Sequence, residues 1–227
     1  MTPRVTPLHH VRVPDERVLR APVPGALLDG AADALADAFA DQPSAIGHGT
    51  PAAARRLLMR VPAVVAARRG GLLVVGEGLD RPDPVVLGAS CWVPAGDRGA
   101  GPVTQLRTGS WRLVSLLGPV ALGRVMRQAT RADSQVDAYL DPGDAYLSVV
   151  GVRPGHHGAG LGRRLVEATA ADAAQAGLTR LVLLTHAPGN VPFYRRLGFQ
   201  VVDDSTRSRG HPLHVLARPL TPGGPRR

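Results

Sequence analysis

The feature that most constrains this chain is the stretch from Ser148 to Leu165, SVVGVRPGHHGAGLGRRL. The apolar run that leads into it, Tyr146 to Val152, has the composition of a buried strand. Pro154 ends the strand, because proline has no N–H to give to a ladder. Gly155, Gly158, Gly160 and Gly162 follow, and then an apolar helical pattern. A strand, a glycine-rich turn and a helix start, in that order, make an anion site. The first N–H groups of a helix have no partner within it, and the dipole there favours negative charge. Glycines let the chain curl tightly and let a phosphate approach the backbone without meeting a Cβ.

Spacing separates three phosphate loops. A Walker loop needs Lys and then Ser or Thr after its last glycine, whereas Gly162 is followed by Arg163 and Arg164. The dinucleotide fingerprint G-x-G-x-x-G is not met by Gly158 to Gly162, and LVLLTHAPGN further on lacks the acid it requires. The third pattern is V-x-P, two residues, a polar residue, then x-x-G-x-G, and Val152, Pro154, His157, Gly160 and Gly162 satisfy it. It resembles motif A of the GNAT N-acetyltransferase superfamily, with His157 where the family usually has Gln or Arg. A second block, Asn190-Val191-Pro192-Phe193-Tyr194-Arg195-Arg196-Leu197-Gly198-Phe199, resembles that family's N-x-x-x-Y-x-x-L-G-F element. Within the family the wording is most similar to the puromycin N-acetyltransferase group, whose N-terminal helix Ala34–Pro43 also resembles. The strong resemblance covers about Ala145 to Val202.

The resemblance implies an α/β (α+β) fold with a mixed, mostly antiparallel central sheet, splayed at the cofactor site and with helices on both faces. It implies acetyl-CoA as co-substrate, no metal, and transfer of an acetyl group to a primary amine by direct attack on the thioester. By the same carry-over Val150 and Val152 would hold the pantetheine arm. His157, Gly158, Ala159, Gly160, Leu161, Gly162 and Arg163 would hold the pyrophosphate, and a backbone N–H near Val150 would steady the carbonyl oxygen. Tyr194 stands where the family places the acid that protonates the leaving thiolate; the competing reading is core packing. Asn190 is a helix cap or a coenzyme contact. The puromycin group reads LET where this chain has Leu183-Leu184-Thr185, so that carboxylate is absent. His186 could replace it as the base, against a solvated loop histidine; Glu77 and Asp144 are weaker candidates. Two other readings stay open: a non-catalytic acyl-CoA-binding module, and an enzyme acting on a protein amine.

The rest of the sequence sets outer limits. At 227 residues, 44% hydrophobic and 20% charged, the chain is globular in composition and suits one domain. Expected boundaries are a tail at 1–16, a single domain at 17–218 and a second tail at 219–227. No apolar run reaches the roughly 18–20 residues of a membrane span, and no signal peptide is apparent, so a membrane is not an expected partner. A single cysteine, Cys91, fits a buried strand position and a reducing cytoplasm. The net charge of +9 would help draw in a polyanionic coenzyme. Nucleic acid is not the expected partner, because the arginines are scattered and aromatics make up only 4%. Every basic residue other than histidine is Arg, the bias of a GC-rich bacterial genome. A monomer and a homodimer are equally allowed.

Periodicity outlines the other elements. A short strand is expected at Arg17–Ala21, a helix at Leu27–Ala40, and a second helix at Ala52–Ala66 that Pro62 must bend or end. Leu72–Gly76 and Val85–Val93 read as an antiparallel hairpin. Thr104 to Tyr139 reads as helical, broken near Gly118-Pro119. Its residues Trp111, Leu113, Val114, Leu116, Leu117, Val120, Leu122, Val125 and Met126 would either roof a substrate pocket or pack in the core. A helix from Gly158 to Ala176, stopped by Gly177, and strands at Leu181–Thr185, Gln200–Asp203 and Leu213–Ala217 complete the pattern.

Overall fold

A computed structural model describes residues 17–20, 25–42, 49–98, 100–203 and 213–221. Both expected tails in their larger part, much of the Gln42–Thr50 segment and the polar loop at 204–212 lie outside the described residues. Among those described, the strands are β1 (Arg17–Arg20), β2 (Gly71–Glu77), β3 (Val85–Pro94), β4 (Asp144–Val152), β5 (Arg180–Thr185), β6 (Gln200–Asp203) and β7 (His214–Pro219). The helices are α1 (Ala26–Ala38), α2 (Ala52–Arg69), α3 (Pro102–Arg107), α4 (Leu113–Asp137), α5 (Leu161–Gln175) and α6 (Val191–Arg196).

One seven-stranded sheet runs in the order β1-β2-β3-β4-β5-β7-β6. Every pairing is antiparallel except β4 with β5, which is parallel. A parallel pair needs a crossover, and α5 supplies it. Leu72 and Val74 of β2 face one core, with α1, α2 and Val136 of α4. Leu73 and Val75 face the other, with α5 and α6. Burial on both faces is why β2 and β3 read as continuous apolar runs without polar alternation. Cys91 lies fully buried in the first core, as its context suggested.

Several boundaries differ from expectation. Pro62 neither ends nor shortens α2, which continues to Arg69. The break expected at Gly118-Pro119 is present: Gly118 has φ 71° and ψ 164° inside α4. Helix α5 starts at Leu161 rather than Gly158, because Gly158 and Gly160 sit at φ +86° and +80°, outside the right-handed helical region. At the other end Gly177, at φ +83°, closes it as expected, with Leu178 N–H donating to Ala173 O at 3.1 Å. Residue 219, placed in the closing tail by the sequence, belongs to β7, and Leu220 beyond it is buried with its N–H on Thr179 O at 2.8 Å.

Two polar contacts, one of them fully buried, dock α5 on β3. Ser90 Oγ and Thr169 Oγ1 are 2.6 Å apart, and Trp92 Nε1 donates to Asp172 Oδ2 at 2.9 Å. In a low-dielectric interior such satisfied pairs specify one arrangement and penalise others. They fix how far α5 lies along the sheet, and so where its N-terminal turn emerges.

Candidate active site

The site begins with an extra residue. Trp92 of β3 lies opposite Leu147 of β4, and the next residue, Cys91, lies opposite Val149, so Ser148 has no partner. This is a β-bulge, which bends its strand and disrupts the ladder. The two cores record it: Ala145 and Leu147 face α5, Tyr146 and Val149 face α1, and after the bulge the even-numbered Val150 and Val152 face α5. The Ser148 hydroxyl donates to Cys91 O at 3.0 Å and holds the bulge in place.

Pairing of β4 with β5 stops at this point. The register runs from Asp144 opposite Arg180 to Leu147 opposite Leu183 and goes no further. Both strands continue, β4 to Val152 on β3 and β5 to Thr185 on β7. The two strands therefore splay, and the closed end of the V is clamped. Arg180 donates through Nε to Asp144 Oδ1 at 3.0 Å and through its terminal nitrogen to Asp144 Oδ2 at 2.5 Å, to Asp141 Oδ2 at 3.0 Å and to Tyr139 O at 2.9 Å. The Asp144 hydrogen bond holds the Arg180 guanidinium above its usual pKa. Asp144 is thus buried at the closed end with both carboxylate oxygens taken by Arg180, away from the open V where a base would have to stand. Glu77 ends β2, opposite Val85, with β3 between it and β4.

The open edge of β4 offers backbone groups. Arg153 N–H donates to Leu87 O at 2.8 Å, so the polar groups of Gly151 and Val149 face β3, and those of Val150 and Val152 face the V. Gly151 is needed for another reason. A Cβ there would come within 2.8 Å of Ala38 Cβ, so glycine allows α1 to press against the bent strand.

Beyond Val152 the chain turns over Gly155, Gly158 and Gly160, all at positive φ, into α5. A Cβ at Gly158 or Gly160 would meet nothing within 4 Å, so the space in front of the turn is clear. The first N–H of α5 to bond back along the chain is that of Arg164, to Gly160 O at 3.0 Å, which leaves the N–H groups of Leu161, Gly162 and Arg163 without intrahelical partners. Arg163 is exposed, as is Ala159. His157 turns back, its Nε2 lying 3.2 Å from Val152 O, so its ring braces the turn against the strand end.

Tyr194, on α6, lies in the same core as Val150 and Val152 and is only 7% exposed. Phe193 and Phe199 pack edge-on against it at 5.1 and 5.6 Å. Burial pushes its phenol up to about 12, so it remains a neutral donor. No group among the described residues takes its hydroxyl in a hydrogen bond. Asn190 occupies the cap position of α6 but makes no side-chain cap bond; its Nδ2 donates instead to Thr185 Oγ1 at 3.3 Å. Ala187 N–H uses the same oxygen at 3.3 Å, so Thr185 organises the turn after β5. His186 is exposed there, past the open end of β5. His214, buried and directly opposite Thr185, was not singled out by the sequence, because no motif marks it.

Of the residues expected to roof a pocket, Leu113 and Val125 are buried, whereas Trp111, Val114, Val120 and Met126 are exposed. No cluster of His, Cys, Asp and Glu able to hold a metal ion occurs among the described residues.

Residues 121–199 match the model of the acetyltransferase (GNAT) family. The fold is similar to that of histone acetyltransferase HPA2 and related acetyltransferase of Corynebacterium glutamicum, with 22% identity and a TM-score of 0.60 over 92% of this chain and 98% of that one. Arylalkylamine N-acetyltransferase 2 of Aedes aegypti gives 13% identity and 0.60 over 91% and 100%. The NatC complex bound to Gag peptide and CoA gives 12% and 0.51 over 91% and 99%. At such identities the likeness is one of fold. The family match and the splayed sheet together support a GNAT acetyltransferase.

Proposed function

We propose that this protein transfers an acetyl group from acetyl-CoA to a primary amine of a small molecule. The observation that carries this reading is the unpaired β4 edge at Val150 and Val152, opened by the Ser148 bulge beside the glycine turn. That edge fits an extended amide-bearing arm, which would pair with it as a missing strand does. The clear space before Gly158 and Gly160, ringed by free N–H groups, fits a pyrophosphate. Val150, Val152, Gly158, Ala159, Gly160, Leu161, Gly162 and Arg163 are the residues assigned to the coenzyme. His157 contributes by holding the turn. When bound, the coenzyme supplies the activated acetyl thioester.

Tyr194 is assigned to the leaving sulfur. Its phenol near 12 faces a thiolate whose conjugate acid lies near the thiol reference of about 8.5. Outright transfer would then be uphill by about 5 kcal/mol. The phenol therefore acts as a hydrogen-bond donor while the C–S bond breaks. It gives up its proton only as the N–H of the tetrahedral adduct, made acidic by attack of the neutral amine, returns one. His186, past the open end of β5, is assigned to take the proton that an ammonium acceptor must lose before its nitrogen can attack. The APxNxPFY wording around Tyr194 supports an acceptor of the antibiotic type taken by the puromycin group.

The test is thiol release from acetyl-CoA against a panel of amines, with Tyr194→Phe beside the parent. The substitution removes one oxygen and keeps the ring packing. Acetyl-CoA binding should survive and the rate should fall by roughly 100-fold or more, as for a lost acid. Full activity with normal binding would take Tyr194 out of the mechanism. Absence of turnover with every amine, despite tight acetyl-CoA binding, would favour a binding module.

A further inference from the structure

Among the described residues, six of the eight exposed large hydrophobic side chains fall between residues 103 and 126: Val103, Leu106, Trp111, Val114, Val120 and Met126. Exposed apolar side chains gathered in one segment in this way mark a contact with something else. The charge on the same segment is one-sided. Residues 99–132 contain five arginines, at 107, 112, 124, 127 and 131, and no Asp or Glu. None of the five forms an ion pair among the described residues. On α4, Arg124, Arg127 and Arg131 recur at helical spacing on one side together with Val120. That side is roughly opposite Val125 and Val136, which bury the helix against the protein.

We infer that this face docks on an anionic lipid surface. A helix face that mixes exposed apolar side chains with arginines lies in the headgroup boundary, its apolar groups toward the acyl chains and its cations on phosphates. A second copy fits poorly, because self-pairing would bring two acid-free sets of arginines together. Nucleic acid would use the arginines but leave the apolar groups in water, with Trp111 the one aromatic available for stacking. No spanning helix is required, and no described helix is long and apolar enough to be one.

The full chain carries its own probe. It has two tryptophans; Trp92 is 1% exposed and Trp111 is 67% exposed, so a fluorescence change on docking reports Trp111. The experiment is co-sedimentation and tryptophan emission with phosphatidylcholine vesicles, with and without an equal share of phosphatidylglycerol. Binding with a blue shift is expected on the anionic vesicles alone, weakening as salt is raised. Combining Arg124→Gln, Arg127→Gln and Arg131→Gln should weaken it by roughly 100-fold. An unchanged thermal shift with acetyl-CoA would show that the triple variant is folded. The inference is overturned by no binding to anionic vesicles or by equal binding to neutral ones. Tighter binding to nucleic acid, or a dimer in which Trp111 emission is already blue-shifted, would also overturn it.

Discussion

Deleting Ser148 should close the active site while leaving the fold intact. Removing one residue from a strand usually reverses every side chain after it. Here the deletion restores regular alternation instead, because Ser148 is the unpartnered residue: Leu147 would stay opposite Trp92 and Val149 opposite Cys91. The protein loses the Ser148 bond to Cys91 O, worth about 1 kcal/mol. It regains straight pairing and can extend β4–β5 contacts beyond Leu147–Leu183. Stability should therefore move by no more than about 1 kcal/mol, or about 2–4 °C in Tm for a domain of this size. The polar groups of Val150 and Val152 would turn to β5 and be lost to a ligand. Two such bonds at about 1 kcal/mol each correspond to acetyl-CoA binding weaker by at least about 30-fold. Calorimetric titration of the deletion, the parent and Ser148→Ala would test this. Ser148→Ala keeps the bulge and should bind almost normally. A folded deletion variant with parental affinity would refute the idea that the bulge opens the V.

Two further outcomes follow from single residues. Gly160→Asp places a residue at φ +80° and should cost about 1–2 kcal/mol, and its carboxylate enters the clear space before the turn. The stabilisation expected from acetyl-CoA at a hundred times its Kd, about 2.7 kcal/mol, should vanish; an unchanged thermal shift would remove the pyrophosphate assignment. Cys91 gives a pH signature. Burial raises its thiol from 9.0 to about 12, so above pH 9 the unfolded chain loses this proton first and stability falls by about 1.4 kcal/mol per unit toward pH 12. Tyr194, raised from 10.0 to about 12, adds to that slope only above pH 10. Cys91→Ala should flatten urea midpoints between about pH 9 and 10, and a parent protein with no decline there would contradict the burial account.

The glycine turn and the elements around it were legible because their signals are local. A valine-rich run, a proline, closely spaced glycines and a helical apolar pattern each act within a few residues. The error at the start of α5 has a local cause too: Gly158 and Gly160 prolong the turn, and a periodicity count treats them as neutral helix positions. Asn190 has a good capping side chain, yet it bonds Thr185 Oγ1, a partner five residues earlier that the turn after β5 brings within reach.

What the chain alone determined is therefore the order of strands and helices, the anion turn and the two family-like blocks, all set by steric preference and periodicity. Tertiary structure decided three things that no local signal carries. Ser148 is an ordinary strand residue until β3 gives it no partner. Asp144 and Arg180 form the clamp of the V only because the α5 crossover lays β5 beside β4 in that register. The apolar residues of α4 look the same in sequence whether covered or bare, and periodicity cannot choose between them. Exposure depends on whether another element arrives to pack there, and for Val114, Val120 and Met126 none of the described elements does.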